Sequence, residues 1–324
     1  MRCLVTGVAG FIGSHLAESL VAQGHTVIGV DAFIPYYPRT IKEQNLSELR
    51  QNPNFSFQEL DLRTAPLQPL LDGIEVVFHE AATPGLLLSW QDFELYETCN
   101  ILTTQRLLEA CRQTKGQVTN SSNSSPKVIL ASTSSIYGAD VTGPETTKAQ
   151  PVSPYGITKL AGEHLALAYY HNFGIPVSIL RYFSVYGPRQ RPDMGYYRFI
   201  EAIAKDKVIT VFGDGKQTRT NTYVTDIVRA TILAARPADR PADEQFQVGE
   251  AFNIGGRDEI NVLEVLQLLE ELIGKKARIE WAASRPGEQS RTVANITKAQ
   301  QMLGWEPRVG IKEGLAAQIA WQLG

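Results

Sequence analysis

A tyrosine and a lysine spaced by four residues are the strongest chemical signal in the sequence. They occur in PYGITK as Tyr155 and Lys159, and residues four apart share one face of a helix. An ammonium beside a phenol favours the phenolate, so the pair predicts a tyrosine pKa below the usual value of about 10 and a usable general base. The upstream segment STSSIYG offers the hydroxyls of Thr133, Ser134 and Ser135 to bind the reacting oxygen. Taken alone, such a pair is more often a packing feature, so its meaning depends on what surrounds it.

A glycine-rich segment near the start of the sequence supplies that context. TGVAGFIG places Gly7, Gly10 and Gly13 between a predicted strand and a predicted helix, where glycines permit a tight turn, close approach of a pyrophosphate and close helix packing. The spacing is GxxGxxG, not GxGxxG. The next predicted strand, TVIGVD, ends in Asp31, whose carboxylate can hold both adenosine ribose hydroxyls and would repel a 2′-phosphate. The segment therefore predicts NAD, not NADP, as the cofactor.

Apolar runs of strand length alternate with longer amphipathic segments along the first half of the chain. The predicted strands are CLVTG, TVIGV, VVFHEA, KVILAS and VSILRYF, and helical periodicity covers residues 11–22, 90–111 and 154–170. TDIVRATILAA and AFNIGG predict one further helix and strand. This order predicts an α/β fold with a doubly wound, Rossmann-type parallel sheet.

After Tyr182 the alternation gives way to loops rich in Gly, Pro and Arg. We expect residues 1–182 to form the NAD-binding domain, with residues 222–254 packing back on it. Residues 183–324 are expected to form a smaller α/β substrate-binding lobe, because a chain of this length favours one large domain and a smaller one.

Composition narrows the classes of partner. A formal net charge of −3, from 31 basic and 34 acidic residues, gives no bulk positive field for nucleic acid or an anionic membrane. No apolar run approaches the roughly 18 residues of a membrane span, so a cytoplasmic protein with a small-molecule partner is expected.

Cys3, Cys99 and Cys111 have no metal-ligand or CxxC spacing, which predicts reduced thiols and no metal site. The polar stretch 114–126 predicts a mobile surface loop, with chance glycosylation triplets at Asn120 and Asn123.

Seven motifs in order give the chain a resemblance to the extended short-chain dehydrogenase/reductase family. They are TGVAGFIG, Asp31, DLR at Asp61, HEAA at His79, STSSIYG, YGITK and RYFSVYGPR. The resemblance covers nearly the whole chain and implies tightly held NAD, a nucleotide-sugar substrate in the second lobe and, commonly, a homodimer.

The resemblance also implies roles for individual residues. Tyr155 would be the base, Lys159 would bind the nicotinamide ribose and tune the base, and Thr133 would bind the sugar hydroxyl. The implied cofactor contacts are Gly7, Gly10, Phe11, Ile12, Gly13, Asp31, Asp61, Leu62, Ala81, Ala82, Asn100, Tyr155 and Lys159. The implied substrate contacts are Thr133, Ser134, Ser135, Ser184, Arg191, Arg219, Arg285 and Glu288.

In the second lobe, Arg219 and Arg285 align with positions that grip a UDP diphosphate, a task that suits the bidentate guanidinium. Glu288 stands in RPGE where many relatives have RPGD, and Ser184 stands where the family often has Asn.

Within the family, the tracts FIPYYPRTIKEQNL, SWQDFELYETCNILTTQRLLEA and VYGPRQRPDM are most similar to UDP-glucuronate 4-epimerases, although GLLLSW replaces their usual GVRxSW-like segment. That similarity implies oxidation of carbon 4 of a UDP-sugar to a ketone and return of hydride to its other face. Arg191 in RPDM would hold the uronate carboxylate, or else contact phosphate or a dimer partner.

Three other functions stay open. A UDP-glucose 4-epimerase would perform the same chemistry without a carboxylate to hold. A UDP-glucuronate decarboxylase is disfavoured because Ser134 and Ser135 replace the acidic residues that follow the threonine in that branch. A non-catalytic NAD-sensing regulator is disfavoured by the intact Tyr155, Lys159 and Thr133.

Overall fold

A seven-stranded, entirely parallel sheet forms the core of the protein. The computed structural model describes residues 1–114, 125–236, 248–284 and 290–324; most of the predicted polar loop, with Asn120 and Asn123, lies outside the described residues. The strands of this sheet are β1 (Arg2–Thr6), β2 (Thr26–Asp31), β3 (Phe55–Glu59), β4 (Val76–His79), β5 (Lys127–Thr133), β7 (Val177–Tyr182) and β12 (Glu250–Ile254). Their spatial order is β12-β7-β5-β4-β1-β2-β3, which confirms the predicted doubly wound α/β fold.

Helices cover both faces of the sheet, which is why its central strands are continuous apolar runs rather than alternating ones. One face packs against α1 (Phe11–Ala22), α8 (Val224–Ala235) and α10 (Thr297–Leu303). The other face packs against α5 (Thr103–Thr114) and α6 (Pro154–Phe173). The sheet therefore has two separate apolar layers and presents only its edges and strand ends to other groups.

Helix α6 carries the tyrosine–lysine pair, and its ends are well defined. The Ser153 hydroxyl accepts a hydrogen bond from the Gly156 amide at 3.1 Å, and Pro154 occupies the first helical position, where its missing N–H costs nothing. Gly174, at φ +69°, ends the helix in the left-handed conformation. The predicted helix over 154–170 is thus confirmed and extended by one turn.

The helix predicted over 90–111 is confirmed except at one position. The chain forms α3 (Leu88–Gln91) and then, without interruption, α4 (Phe93–Tyr96), a π-helical segment (Glu97–Leu102) and α5. The break occurs at Asp92, whose side chain accepts a hydrogen bond from the Leu95 amide at 3.2 Å and so begins a new helix.

The remaining elements build the second lobe and the connections. The helices are α2 (Arg39–Asn45), α7 (Gly195–Ala204), α9 (Val262–Ile273) and α11 (Ile311–Leu323), with 3₁₀ turns at Leu49–Gln51, Gln68–Leu71 and Ser134–Ile136. The strands are β6 (Asp140–Val141), β8 (Val185–Tyr186), β9 (Val208–Phe212), β10 (Thr218–Thr220), β11 (Thr222–Tyr223), β13 (Glu259–Asn261), β14 (Arg278–Ala282) and β15 (Arg291–Thr292). They form a four-stranded sheet, β13-β10-β15-β6, and two parallel pairs, β8 with β11 and β9 with β14. Within the described ranges, no helix is long and apolar enough to span a membrane.

Candidate active site

A cavity of about 550 Å³ lies at the carboxyl ends of the parallel strands. It straddles the place between β1 and β4 where the strand order reverses, which is where open α/β sheets bind their ligands. Among the described residues, every predicted site residue except Asn100 lines this cavity. These are Gly7, Gly10, Phe11, Ile12, Gly13, Asp31, Asp61, Leu62, Ala81, Ala82, Thr133, Ser134, Ser135, Tyr155, Lys159, Ser184, Arg191 and Arg219. Arg285 and Glu288 lie outside the described residues.

The glycine turn after β1 forms a tight cradle in the cavity wall. Gly7 has φ +68°, and a Cβ there would approach the Ala81 backbone to 2.8 Å, closer than real Cβ contacts allow. A Cβ on Gly13 would overlap the Gly7 carbonyl. The first turn of α1 therefore lies directly on this loop, and the start of a helix with unpaired amides is a site for phosphate.

Asp31 is held rigidly beside this cradle. Its two carboxylate oxygens accept hydrogen bonds from the Ala9 amide at 3.1 Å and the Phe33 amide at 2.8 Å, and Lys42 Nζ lies 3.9 Å away. Burial raises the pKa of Asp31, while Lys42 and the two amides counteract that rise. A fixed carboxylate next to a glycine cradle fits the ribose and pyrophosphate of NAD.

Asn100 lies behind the wall and not in it. Its side-chain amide donates to the Thr83 carbonyl and to the Thr158 hydroxyl, both at 3.0 Å, and its carbonyl accepts from the Thr83 amide at 2.7 Å. The Asn100 side chain thus connects the loop after β4, which contains Ala82 and Thr83, to helix α6 through hydrogen bonds.

The predicted reacting groups meet on one side of the cavity, which we call the helix wall (Thr133, Tyr155 and Lys159). Thr133 and Tyr155 line the same cavity, and Thr133 is among the groups that lower the pKa of the Tyr155 phenol. Thr133 Oγ1 accepts a hydrogen bond from the Ser135 amide at 3.1 Å, so the threonine is fixed in orientation. A substrate hydroxyl bound by Thr133 would lie next to the phenol.

The predicted lowering of the tyrosine pKa is not found in the protein by itself. Burial raises the pKa of Tyr155, while Thr133 and the positive charge of Arg191 lower it. The prediction that the ammonium would lower the tyrosine pKa is wrong for the protein alone, because removal of the phenol from water is the larger influence. A phenolate at neutral pH therefore needs further positive charge, which the oxidised nicotinamide ring carries when NAD is bound.

Lys159 is buried, and its charge depends on two carboxylates. Burial lowers the pKa of Lys159 to about 8, while Glu80 and Glu163 raise it. Glu163, one turn further along α6, forms a buried ion pair with Arg181 at 2.7 Å. Glu80 accepts a hydrogen bond from the Tyr182 hydroxyl at 2.8 Å.

A second group of residues, the loop wall (Tyr36, Gly85, Arg191 and Asp193), contributes Tyr36, Gly85 and Arg191 to the lining of the cavity that holds Tyr155. Arg191 donates from Nε and Nη2 to the two carboxylate oxygens of Asp193, both at 3.0 Å. Its guanidinium lies 5.6 Å from the centre of the Tyr36 ring. Because Arg191 and Tyr36 both perturb the pKa of Tyr155, this wall lies within electrostatic range of the reacting phenol.

The substrate lobe adds a smaller cavity of about 290 Å³ that adjoins the first. The two share Ser184, Val185, Met194 and Arg219. Ser184 has φ +25°, a strained conformation for a residue other than glycine. The cavity continues from there between Tyr196, Phe199 and Asn221, among others, so a long ligand can extend from the helix wall into the second lobe.

The sequence analysis did not identify three residues at the site. Glu80 lies inside the HEAA motif. It could have been identified because it directly follows a buried strand and lies at the same edge of the sheet as the tyrosine. Tyr36 lies in the tract FIPYYPRTIKEQNL, but nothing in its spacing indicates that it meets Arg191. Asp193 stands two residues from Arg191, where its charge could have indicated the pair.

Comparisons with known proteins agree on one family. The model of the GDP-mannose 4,6-dehydratase family matches residues 4–318. A protein named as an uncharacterized UDP-glucose epimerase of Bacillus subtilis is 44% identical over 99% of this chain and 98% of its own length. A UDP-glucuronate 4-epimerase of Thermodesulfobacterium geofontis is 39% identical over 98% of this chain and 95% of its own.

One solved structure of a similar protein contains both a cofactor and a nucleotide sugar. The UDP-glucuronic acid 4-epimerase of Bacillus cereus, in complex with UDP-glucuronic acid and NAD, superimposes with a TM-score of 0.91 at 43% identity, covering 100% of this chain and 99% of the other.

Proposed function

The chain belongs to the extended short-chain dehydrogenase/reductase family, and from that premise we propose that it is an NAD-dependent epimerase acting at carbon 4 of a UDP-sugar. The substrate that the site favours is UDP-glucuronate, and the product is UDP-galacturonate. The observation that carries the proposal is that Thr133, Tyr155 and Arg191 line the same cavity as the glycine cradle. A relative of the same length and fold has NAD and UDP-glucuronic acid bound together.

The chain's own residues supply proton transfer and orientation. Thr133 binds the hydroxyl on carbon 4, and Tyr155 takes its proton as general base and returns it when the hydroxyl forms again. Lys159 holds the cofactor ribose and adds positive charge near the phenol. NAD, when bound, accepts hydride from carbon 4 and gives it back to the opposite face of the ketone. The sugar would have to turn over between the two transfers, because a cofactor held by the glycine cradle and Asp31 would keep one fixed orientation.

The fate of the ketone depends on which groups surround it. A ketone beta to a carboxylate is prone to lose carbon dioxide, so an epimerase must hold the carboxylate charged and in place. Arg191 is suited to this because a guanidinium binds carboxylates through paired N–H groups. Ser134 and Ser135 carry no carboxyl group that could move protons at carbon 5. Return of hydride is therefore the favoured outcome.

UDP-glucose is the second candidate substrate, and one observation favours it. Two N–H groups of Arg191 are already engaged by Asp193 at 3.0 Å, so the pair presents little net charge to a uronate. A substrate with a neutral hydroxymethyl group would not need to compete with Asp193. The relative named as a UDP-glucose epimerase is 44% identical to this chain.

The predicted arrangement of domains and copies stays part of the proposal. Residues 1–182 would bind the cofactor and residues 183–324 the substrate, and β12, within 222–254, supports the return to the first domain because it pairs with β7. A homodimer is supported by exposed apolar side chains on the helices around α6: Trp90 is 68% exposed and Ile157 is 50% exposed. Sedimentation velocity measures the oligomeric state directly.

We also propose a cytoplasmic location, with which three unpaired cysteines are consistent.

The deciding experiment follows each UDP-sugar by proton NMR. Purified protein is incubated separately with UDP-glucuronate and UDP-glucose, and the proton on carbon 1 reports the configuration at carbon 4. Conversion of UDP-glucuronate to UDP-galacturonate supports the first proposal, and conversion of UDP-glucose alone supports the second. Release of carbon dioxide would establish a decarboxylase instead, and no change in either sugar despite bound NAD would point to a non-catalytic regulator.

A further inference from the structure

Among the residues that the structure describes, Glu80 is the acidic side chain in the cavity wall near Lys159 to which the proposed reaction gives no role. It follows β4 directly and lines the same cavity as Tyr155 and Lys159. Its carboxylate accepts the Tyr182 hydroxyl at 2.8 Å, and that hydroxyl lies 2.8 Å from the Thr231 hydroxyl. The carboxylate is thus fixed in place by side chains from β7 and α8.

The other groups around Lys159 provide less negative charge than Glu80. Glu163 also raises the pKa of Lys159, but Arg181, whose Nη2 lies 2.7 Å from Glu163, offsets its charge. His79 is buried between the hydroxyls of Thr6 at 2.8 Å and Thr104 at 3.1 Å, and burial lowers its pKa to about 3, so it is a neutral ring.

Tyr155, on the same helix, and Tyr182, on β7, have raised pKa values in the protein without bound cofactor, so in that state both are neutral phenols and do not balance the ammonium. In the described part of the chain, Glu80 is therefore the carboxylate near Lys159 that is not paired with an arginine.

We propose that Glu80 is a positioning residue for the reaction, whose carboxylate keeps the buried Lys159 protonated. This inference rests on the proposed function, because that function gives the Lys159 ammonium its task beside the tyrosine and the cofactor. Glu80 touches neither reacting atom in this scheme and acts only through the lysine.

Burial acts on both groups in the direction that removes their charges. It lowers the pKa of Lys159 to about 8 and raises the pKa of Glu80 to about 7. Each group opposes the shift of the other, so a negative Glu80 favours the ammonium form of Lys159.

Glu80→Gln keeps the shape and the acceptor for Tyr182 but removes the charge. We expect the pKa of Lys159 to fall by about one unit, as for loss of one nearby opposite charge. If it moves from about 8 to about 7, the protonated fraction falls about fivefold at pH 8 and by less than about a tenth at pH 6. The alkaline limb of the kcat/KM profile for UDP-glucuronate should move to lower pH, whereas Glu48→Gln, at an exposed surface position, should leave the profile unchanged.

A loss of activity by the same factor at every pH, or an unshifted profile, would overturn the proposal, because a purely structural role predicts one of those results. Glu80→Asp retains the charge and should restore most of the wild-type profile. If Glu80→Gln does not fold, Tyr182→Phe provides a second route. It removes the hydrogen bond that lowers the pKa of Glu80, so a partial shift in the same direction is expected, and a shift to higher pH would contradict the proposal.

A measurement without substrate separates this inference from the proposed function. Acetic anhydride modifies only the neutral amine, so the pH dependence of Lys159 acetylation in the purified enzyme, followed by mass spectrometry, reports its ionisation. The midpoint should lie about one unit lower in Glu80→Gln than in the wild type. An unchanged midpoint overturns the role of Glu80 whatever the substrate is. A shifted midpoint in a protein that converts neither UDP-sugar shows that the proposed function is at fault.

Discussion

The helix wall and the loop wall each depend on an arginine bound by a carboxylate, and the two pairs differ in how completely they are enclosed. Arg181 and Glu163, behind the helix wall, have side chains that are 11% and 3% exposed. Arg181 also donates to the Tyr137 hydroxyl at 2.7 Å and the Glu145 carbonyl at 2.9 Å. Arg191 and Asp193, in the loop wall, are 17% and 37% exposed.

This difference shows why similar ion pairs have different uses. A buried pair with its remaining polar atoms satisfied cannot exchange partners without a large desolvation penalty, so it supports the geometry of α6. A pair at the cavity surface can release one partner to a ligand, because water and the ligand compensate. We therefore expect the helix wall to determine whether catalysis occurs and the loop wall to determine which sugar is used.

The largest expected effect is from Tyr155→Phe, which removes the general base and keeps the ring. Turnover of both UDP-glucuronate and UDP-glucose should fall by about a thousandfold, the range for loss of acid–base catalysis. Initial rates by coupled assay measure this for each sugar. Tyr170→Phe, on the same helix, should retain wild-type rates, and a Tyr155→Phe enzyme that keeps a tenth of its activity would contradict the assignment of the base.

The next effect concerns stability. Glu163→Gln leaves the Arg181 charge buried without its partner, and the free energy of unfolding should fall by about 3–5 kcal/mol. Glu109→Gln is the matched control, because Glu109 also binds an arginine, Arg112, at 2.6 Å, but with side chains that are 28% and 41% exposed. It should cost less than about 1 kcal/mol. Urea unfolding of both variants measures the difference, and equal losses would mean that enclosure does not distinguish the pairs.

Much of the fold could be predicted because buried parallel strands are readable as apolar runs. Strand β3 was missed because it lies at the sheet edge, where only Phe55 is buried and the rest of the strand is partly or fully exposed, so its sequence looks like a polar loop. The helix predicted over 90–111 is broken at a single position for a local reason, since Asp92 caps a new helix inside a periodic pattern. Periodicity reports which face is buried, but not where a side chain interrupts the backbone.

The sequence predicts which residues lie at the ends of the parallel strands and so line the site. It does not predict properties of the site that depend on how deeply a side chain is buried. Asp31 and Thr133, both at strand ends, line one cavity because parallel strands bring their carboxyl ends to one edge. The direction of the Tyr155 pKa was wrong because desolvation depends on every neighbouring element and not on the spacing of two residues. The position of Asn100 behind the wall likewise depends on how the loop at Thr83 packs.

Arg191→Ala tests the selectivity of the loop wall. Loss of a charge-assisted contact to a carboxylate should lower kcat/KM for UDP-glucuronate by about 10- to 100-fold, while UDP-glucose should lose less than about threefold. The ratio of the two kcat/KM values is the measurement. Arg198→Ala, an exposed position on α7, controls for general loss of positive charge. Equal losses for the two sugars would show that Arg191 contacts a group common to both, such as phosphate.

The smallest effect is expected for Asp193→Asn. This change keeps the shape of the side chain and removes the charge that competes with a uronate for the guanidinium, so the KM for UDP-glucuronate should fall by about two- to threefold. The KM for UDP-glucose should stay the same, because no carboxylate enters the site. Steady-state kinetics with both sugars at low and high salt measure the difference, and the gain should shrink as salt screens the charges. A rise in the KM for UDP-glucuronate would mean that Asp193 holds Arg191 in its working orientation, and the loop wall would then depend on a fixed ion pair just as the helix wall does.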